Sequence, residues 1–372
     1  MRGPLAARLA PWAGFAICAL LLLVVAPAML SEFRLNLLAK YLCFAIIALG
    51  IAIAWGNGGM LVLGQGLFFG LGGYAMAMYL KLAEAPEGSV PDFMSWSGVD
   101  TLPVIWKPFE HAWVALIAVV AVPVLVATLL GILVFRSRVR GPYFAILTQA
   151  LAAAFVILLV GQQGLTGGTN GLTNIQSFFG LDLADPVDQR TIYFIVVVVL
   201  GAMFLLGRQM LASRYGRLLV ACRDAEDRAR FLGYSPTRVK VVAFATSAAM
   251  AGIAGALFVP VVGIMSPALL GIVPSIEMVI WVAVGGRASL AGAVAGALLV
   301  NWGKTEFSEQ FPSQWTYALG ALFVVVVAFA PQGLAGLARQ GRDLLGDRMR
   351  PAGRGRSATP PMAEPNPARE LT

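Results

Sequence analysis

Arg208 to Lys240 reads RQMLASRYGRLLVACRDAEDRARFLGYSPTRVK, a basic polar island between long apolar runs. It holds eight of the chain's 27 Lys and Arg residues. Leu218, Cys222, Ala225, Ala229 and Leu232 recur in it at steps of four and three, the spacing of one face of a short amphipathic helix. A chain of membrane-type segments that carries one such helix outside the lipid is built to hand it to a partner. The pattern points to a transport subunit driven by another protein rather than to an enzyme.

Composition agrees. The chain has 372 residues, 59% of them hydrophobic and 12% charged, whereas soluble domains carry roughly 25% charged residues. Uncharged stretches cover Leu9–Ser31, Tyr41–Leu80, Ala112–Phe135, Gly141–Leu181, Thr191–Gly207, Val241–Ile276 and Gln310–Ala338. A spanning helix needs about 20 apolar residues, so the longest stretches must fold back or include re-entrant backbone. Gly56-Asn57-Gly58-Gly59 is the natural break in one of these and Gly167-Gly168-Thr169-Asn170-Gly171 in another. The N-terminal stretch ends in Ala26-Pro27-Ala28, which resembles a signal-cleavage site. Pro27 inside that site, the long apolar stretch and the next span directly after it favour a retained first helix.

Ten spans fit the pattern, near 10–30, 35–55, 60–80, 112–135, 141–161, 191–207, 241–262, 274–286, 289–303 and 315–332. The expected fold is an all-α polytopic transmembrane bundle. Residues 1–338 form the permease domain, with the polar segment 208–240 cytoplasmic. The tail 339–372, rich in Pro, Arg, Ala and Glu, is expected to be cytoplasmic and disordered. With both termini inside, 21 Lys and Arg face the cytoplasm. The other six are Arg34, Lys40, Lys81, Lys107, Arg190 and Lys304. That asymmetry is the positive-inside signature, and it explains the net charge of +8 without nucleic acid. Read as one span, 277–303 would bury Arg287 at mid-membrane, at a cost of about 2.5–3.5 kcal/mol on insertion scales. Two short helices meeting at Gly285-Gly286-Arg287 avoid that cost, the second spanning or re-entrant.

Catalytic chemistry finds no footing. His111 is the single histidine, Cys18, Cys43 and Cys222 have no disulfide or metal-ligand spacing, and no cofactor signature is present. Gly303-Lys304-Thr305 mimics the end of a phosphate loop, but Leu298 stands where that motif needs glycine, so the chain is not expected to hydrolyse ATP itself. Glycines repeat at 64, 66, 70, 72 and 73, at 252 and 255, and at 292 and 296, where small residues let membrane helices approach closely or line a polar path. Gln149 lies about 12 Å into the fifth span at 1.5 Å per residue. Its amide either faces a small polar substrate or bonds a neighbouring helix. Glu277 is either an intramembrane acid of a substrate site or a solvated interfacial group.

Several stretches resemble permeases of branched-chain amino acid type ABC importers over about 40–335. They are Arg140-Gly141-Pro142-Tyr143-Phe144-Ala145-Ile146-Leu147-Thr148-Gln149, then Tyr215-Gly216-Arg217, Arg223-Asp224-Ala225-Glu226 and Phe231-Leu232-Gly233-Tyr234. Three more are similar to the urea-importer branch: Gly167 to Asn174, Pro274 to Arg287, and Val300 through Lys304-Thr305 and Phe311-Pro312 to Trp315. Val62-Leu63-Gly64 and Ala288 depart from the family's usual residues at those turns.

The resemblance implies an inner-membrane permease for urea or short amides. It implies a heterodimer with a second permease, two ATP-binding subunits, a periplasmic substrate-binding protein and surrounding lipid. Gly216, Arg223, Glu226 and Gly233 fall in the implied ATPase-coupling block, and Thr148, Gln149 and Glu277 are the pathway candidates. Branched-chain amino acids as substrate, and a stand-alone channel or secondary transporter, are the alternatives.

Overall fold

The computed structural model describes residues 14–86, 89–138, 141–311, 314, 317, 320, 321, 324 and 333–336. The expected last span near 315–332 lies mostly outside the described residues, and the tail from 339 wholly so. Helices joined by irregular loops make up the described chain, with one small hairpin, β1 (Ser177–Phe178) and β2 (Leu181–Asp182).

The helices are α1 (Gly14–Met29), α2 (Glu32–Asn57), α3 (Gln65–Glu84), α4 (Ala112–Arg136), α5 (Pro142–Gly161) and α6 (Pro186–Ala212). Outside the apolar run come α7 (Arg214–Asp224) and α8 (Glu226–Phe231). Then follow α9 (Pro236–Val262), α10 (Ile272–Gly285) and α11 (Leu290–Gln310). Their starts are written in the sequence. Ser31 caps α2 by accepting from Arg34 N, Asp185 with Pro186 opens α6, and Ser289 accepts from Gly292 N to open α11.

Each of the first nine expected spans has a helical counterpart, but among the described residues α2, α3, α4, α5, α6 and α9 are the six long and apolar enough to cross a membrane alone. At 14 residues α10 is only about 21 Å long, short of a hydrocarbon core of about 30 Å. Helices α10 and α11 are bent by 120° at their junction, as the charge argument on Arg287 requires. Arg287 is exposed there, its guanidinium 5.3 Å from the Trp55 ring centroid.

At the centre, α9 packs between α3 and α4 at backbone distance. A Cβ on Gly72 would lie 2.1 Å from the Gly252 carbonyl oxygen, and one on Gly255 would lie 2.0 Å from that of Phe69. Small residues here are therefore a steric requirement. Phe68, Phe135, Phe144 and Phe244 close the same seam, with neighbouring centroids 5.1–6.3 Å apart. By contrast, α4, α5 and α6 leave most of their apolar surface outward, as membrane-facing helices do.

Candidate functional site

Two regions carry the polar chemistry: the segment outside the apolar helices, and the places where those helices break. Ser213 stops α6 and restarts the chain as α7, its hydroxyl accepting from Tyr215 N at 3.1 Å. Gly216 is obligatory in this corner, since a Cβ would meet the Leu211 carbonyl oxygen at 2.2 Å. Tyr215 donates its hydroxyl to the Val239 carbonyl at 2.7 Å, and burial raises its pKa further above the phenol range.

The expected single amphipathic helix is in fact two, because Ala225 leaves helical geometry at φ −149°, ψ 67°. The break rotates the register and divides the stripe. Leu219, Cys222 and Ala229 turn inward, against the chain's own α2 end and α9, where small side chains allow close contact. Leu232 is 76% exposed and Phe231 92% exposed. The apolar surface offered outward is thus the knuckle Phe231-Leu232-Gly233-Tyr234, and not the face running through Cys222 and Ala229. Gly233 makes that knuckle possible with φ +84°. Burial pushes the Cys222 thiol pKa up.

Glu226 is fixed within its own chain, accepting from Arg230 at 2.8 Å and from Lys240 at 2.7 Å. It serves as an internal clasp between α8 and α9. Arg223 pairs with Asp224 at 2.7 Å, which holds the Asp224 carboxyl below its ordinary range. Arg223 also donates to the carbonyl of Gly56 at 2.7 Å. Gly56 in turn abuts the hinge, since a Cβ there would lie 1.7 Å from the Arg287 carbonyl oxygen.

Beyond Gly58 the chain runs back among the helices in extended form to Gly64, where α3 begins. Thr148 secures this stretch. Its hydroxyl accepts from Leu63 N at 3.2 Å and donates to the Ala145 carbonyl at 2.9 Å, so it is a fastening for the backbone rather than a free polar group. Gly64 is needed because a Cβ would lie 1.9 Å from the Thr148 carbonyl oxygen. Gln149, next along, is half-buried, and its side chain makes no hydrogen bond among the described residues.

Sequence reasoning missed Gln65. It is fully buried, donates to the Ser247 carbonyl and hydroxyl at 3.0 and 3.1 Å, and leaves its own carbonyl oxygen without a partner among the described residues. Ser275 joins the same knot by accepting from Gly66 N at 3.2 Å. The available signal was a lone amide between two glycines in an apolar run.

Glu277 is 7% exposed and accepts from Lys304 at 2.8 Å. The carboxylate is buried, while the Lys304 side chain that pairs with it is 32% exposed. Lys304, expected at a helix end, sits inside α11, which continues to Gln310. The hinge makes this pairing possible by folding α11 back beside α10, so residues 27 apart in sequence meet. Tyr41 and Thr305 hydrogen-bond next to it and fasten α2 to α11. Among the described residues no group of His, Cys, Asp and Glu side chains could hold a metal ion.

The chain matches the family described as "Branched-chain amino acid transport system / permease component" over residues 33–328. The high-affinity branched-chain amino acid transport system permease protein LivM of Escherichia coli is 30% identical over 349 residues, covering 87% of this chain and 75% of the relative. LivM of Salmonella typhimurium is 29% identical over 347 residues, with the same shares covered. The permease protein LivH of Salmonella typhimurium is 23% identical over 305 residues, 79% of this chain and 91% of the relative. No solved structure matches the chain. With a polytopic helical bundle, a polar segment tied to its helix breaks and this match over most of its length, the chain belongs to the family of branched-chain amino acid transport permease components.

Proposed function

We propose that this chain is one of two permease subunits of an ABC importer for branched-chain amino acids in a bacterial inner membrane. Two ATP-binding subunits dock on the α7–α8 side, which the positive charge bias makes cytoplasmic, and a periplasmic substrate-binding protein meets the opposite end. The observation that carries the reading is the bond from Arg223 to Gly56. It ties the outlying polar segment to the point where α2 ends, and Gly56 touches the α10–α11 hinge through the Arg287 backbone. A displacement of α7 is thereby delivered to both breaks in the apolar helices.

The substrate reading follows the relatives, whose names specify branched-chain amino acids. That supports the alternative left open by the sequence over urea or short amides. The Glu277–Lys304 pair supports it too, since groups of both signs suit a zwitterion, whereas neutral urea needs neither. A stand-alone transporter would also use intramembrane charges, but it has no use for a cytoplasmic docking segment.

The test is reconstitution of the chain with its neighbouring-gene partners in proteoliposomes. Leucine, isoleucine and valine uptake is expected to require ATP and the binding protein. ATP-driven uptake of urea without any amino acid uptake would overturn the substrate, and uptake without the ATP-binding subunits would overturn the ABC mechanism.

A further inference from the structure

Glu277 and Lys304 do not stand alone. Lys40, about 12 Å along α2 from Glu32 at 1.5 Å per residue, is half-buried and within electrostatic reach of both. Among the described residues it forms no hydrogen bond or ion pair, although the Lys304 ammonium and the Glu277 carboxylate both act on it. A partly buried ammonium without a bonded partner is unfavourable in a low-dielectric interior, and intramembrane ionisable groups usually mark a substrate path.

One helical turn further along α10 comes a second unmet donor. Trp281, four residues after Glu277, is 3% exposed, and its indole Nε1 has no acceptor among the described residues. Its ring stacks on Phe44, four residues after Lys40, at a centroid distance of 4.8 Å. The α2–α10 seam therefore presents an ammonium and an indole N–H that lack a negative acceptor. Beside them lie the Glu277 carboxylate, paired with Lys304, and the stacked rings of Phe44 and Trp281.

We infer that Lys40, Glu277 and Lys304 form the subsite that receives the charged headgroup of a zwitterionic amino acid in transit. Lys40 takes the α-carboxylate, with the Trp281 N–H as a second donor. Glu277, already held by Lys304, faces the α-ammonium, and the Phe44–Trp281 wall accommodates the branched side chain. The inference rests on the branched-chain amino acid reading above. It goes beyond it by naming the residues that distinguish a zwitterion from a neutral amide.

The experiment uses the complete complex in proteoliposomes, with leucine and urea as the two probes. Wild-type uptake of urea and not leucine rejects the substrate reading itself. Given leucine uptake by the wild type, Lys40→Met and Trp281→Phe are each expected to raise the leucine KM about tenfold, the loss of one well-made charge-assisted contact. Lys40→Arg should stay within about threefold of the wild-type KM, because the positive charge is kept. An unchanged KM in either Lys40→Met or Trp281→Phe overturns the subsite. So does loss of the second permease from the purified Lys40→Met complex, which would assign the charge to assembly. An equal drop in rate for Lys40→Met and Lys40→Arg, with KM unmoved, overturns it as well.

Discussion

The guanidinium of Arg223 donates to the carbonyl oxygen of Gly56 at 2.7 Å, a bond between residues 167 apart in sequence. It joins α7 to the end of α2, and Gly56 itself rests on the Arg287 backbone of the hinge. No side chain intervenes between Gly56 and Arg287, so movement passes from one backbone to the other without a flexible link.

Arg223→Ala removes this tie while leaving the buried face of α7, Leu219 and Cys222, in place. The subunits should still co-purify and hydrolyse ATP, whereas leucine uptake per ATP should fall at least about tenfold, a coupling loss on the order of 1.4 kcal/mol. Unaltered uptake per ATP would remove Arg223 from the coupling path.

Two substitutions in α8 should separate docking from folding. Phe231→Asp alters a residue that is 92% exposed. It should release the ATP-binding subunits, as loss of an interface anchor of about 2 kcal/mol would, without lowering the melting temperature of the isolated permease pair. Glu226→Arg places a third cation against Arg230 and Lys240. It should destabilise the segment by about 3 kcal/mol, because a partly buried pair is broken. A protease nick between α7 and α9 in Glu226→Arg, absent from Phe231→Asp, is the diagnostic readout.

Gln149→Leu should reduce uptake with assembly and ATP hydrolysis retained, since Gln149 is half-buried and its amide is not committed to a hydrogen bond among the described residues. Uptake rates equal to wild type would return Gln149 to a packing role.

Thiol chemistry tests both topology and local burial. A membrane-impermeant maleimide applied to intact cells should label Ser89→Cys but not Ser213→Cys, both exposed positions at opposite ends of the bundle. In the purified folded complex, native Cys222 should resist labelling. Its raised pKa keeps the thiol protonated at pH values where an ordinary cysteine has begun to ionise, so reactivity should appear only at higher pH or after denaturation. Rapid labelling of Cys222 near neutral pH would contradict its burial.

Much of the fold was legible because glycine and charge mark where apolar helices must stop. Gly56 to Gly59, Gly167 to Gly171 and Gly285 to Arg287 each coincide with a break. The face of the polar segment was not legible. Its periodicity presumes one continuous helix, whereas Ala225 interrupts it and sends Cys222 and Ala229 inward. Glu277 and Lys304 are a second case. Their pairing depends on the angle of the hinge, a property that neither residue nor its neighbours record. Gln65 illustrates a third, since a single amide in an apolar run gives no hint of the Ser247 it meets 182 residues away.

The glycine seam also bears on how such a subunit can move. Where Gly72 meets Gly252, and Gly255 meets Phe69, main chain rests on main chain with no layer of side chains to repack. Any slide of α3 past α9 would drive Cα atoms through carbonyl oxygens, so the two behave as the keel of the subunit. For the importer proposed above, conversion between outward and inward openings is then expected to be a rocking of this welded block against its perimeter, with the α10–α11 elbow and the outlying segment supplying the play.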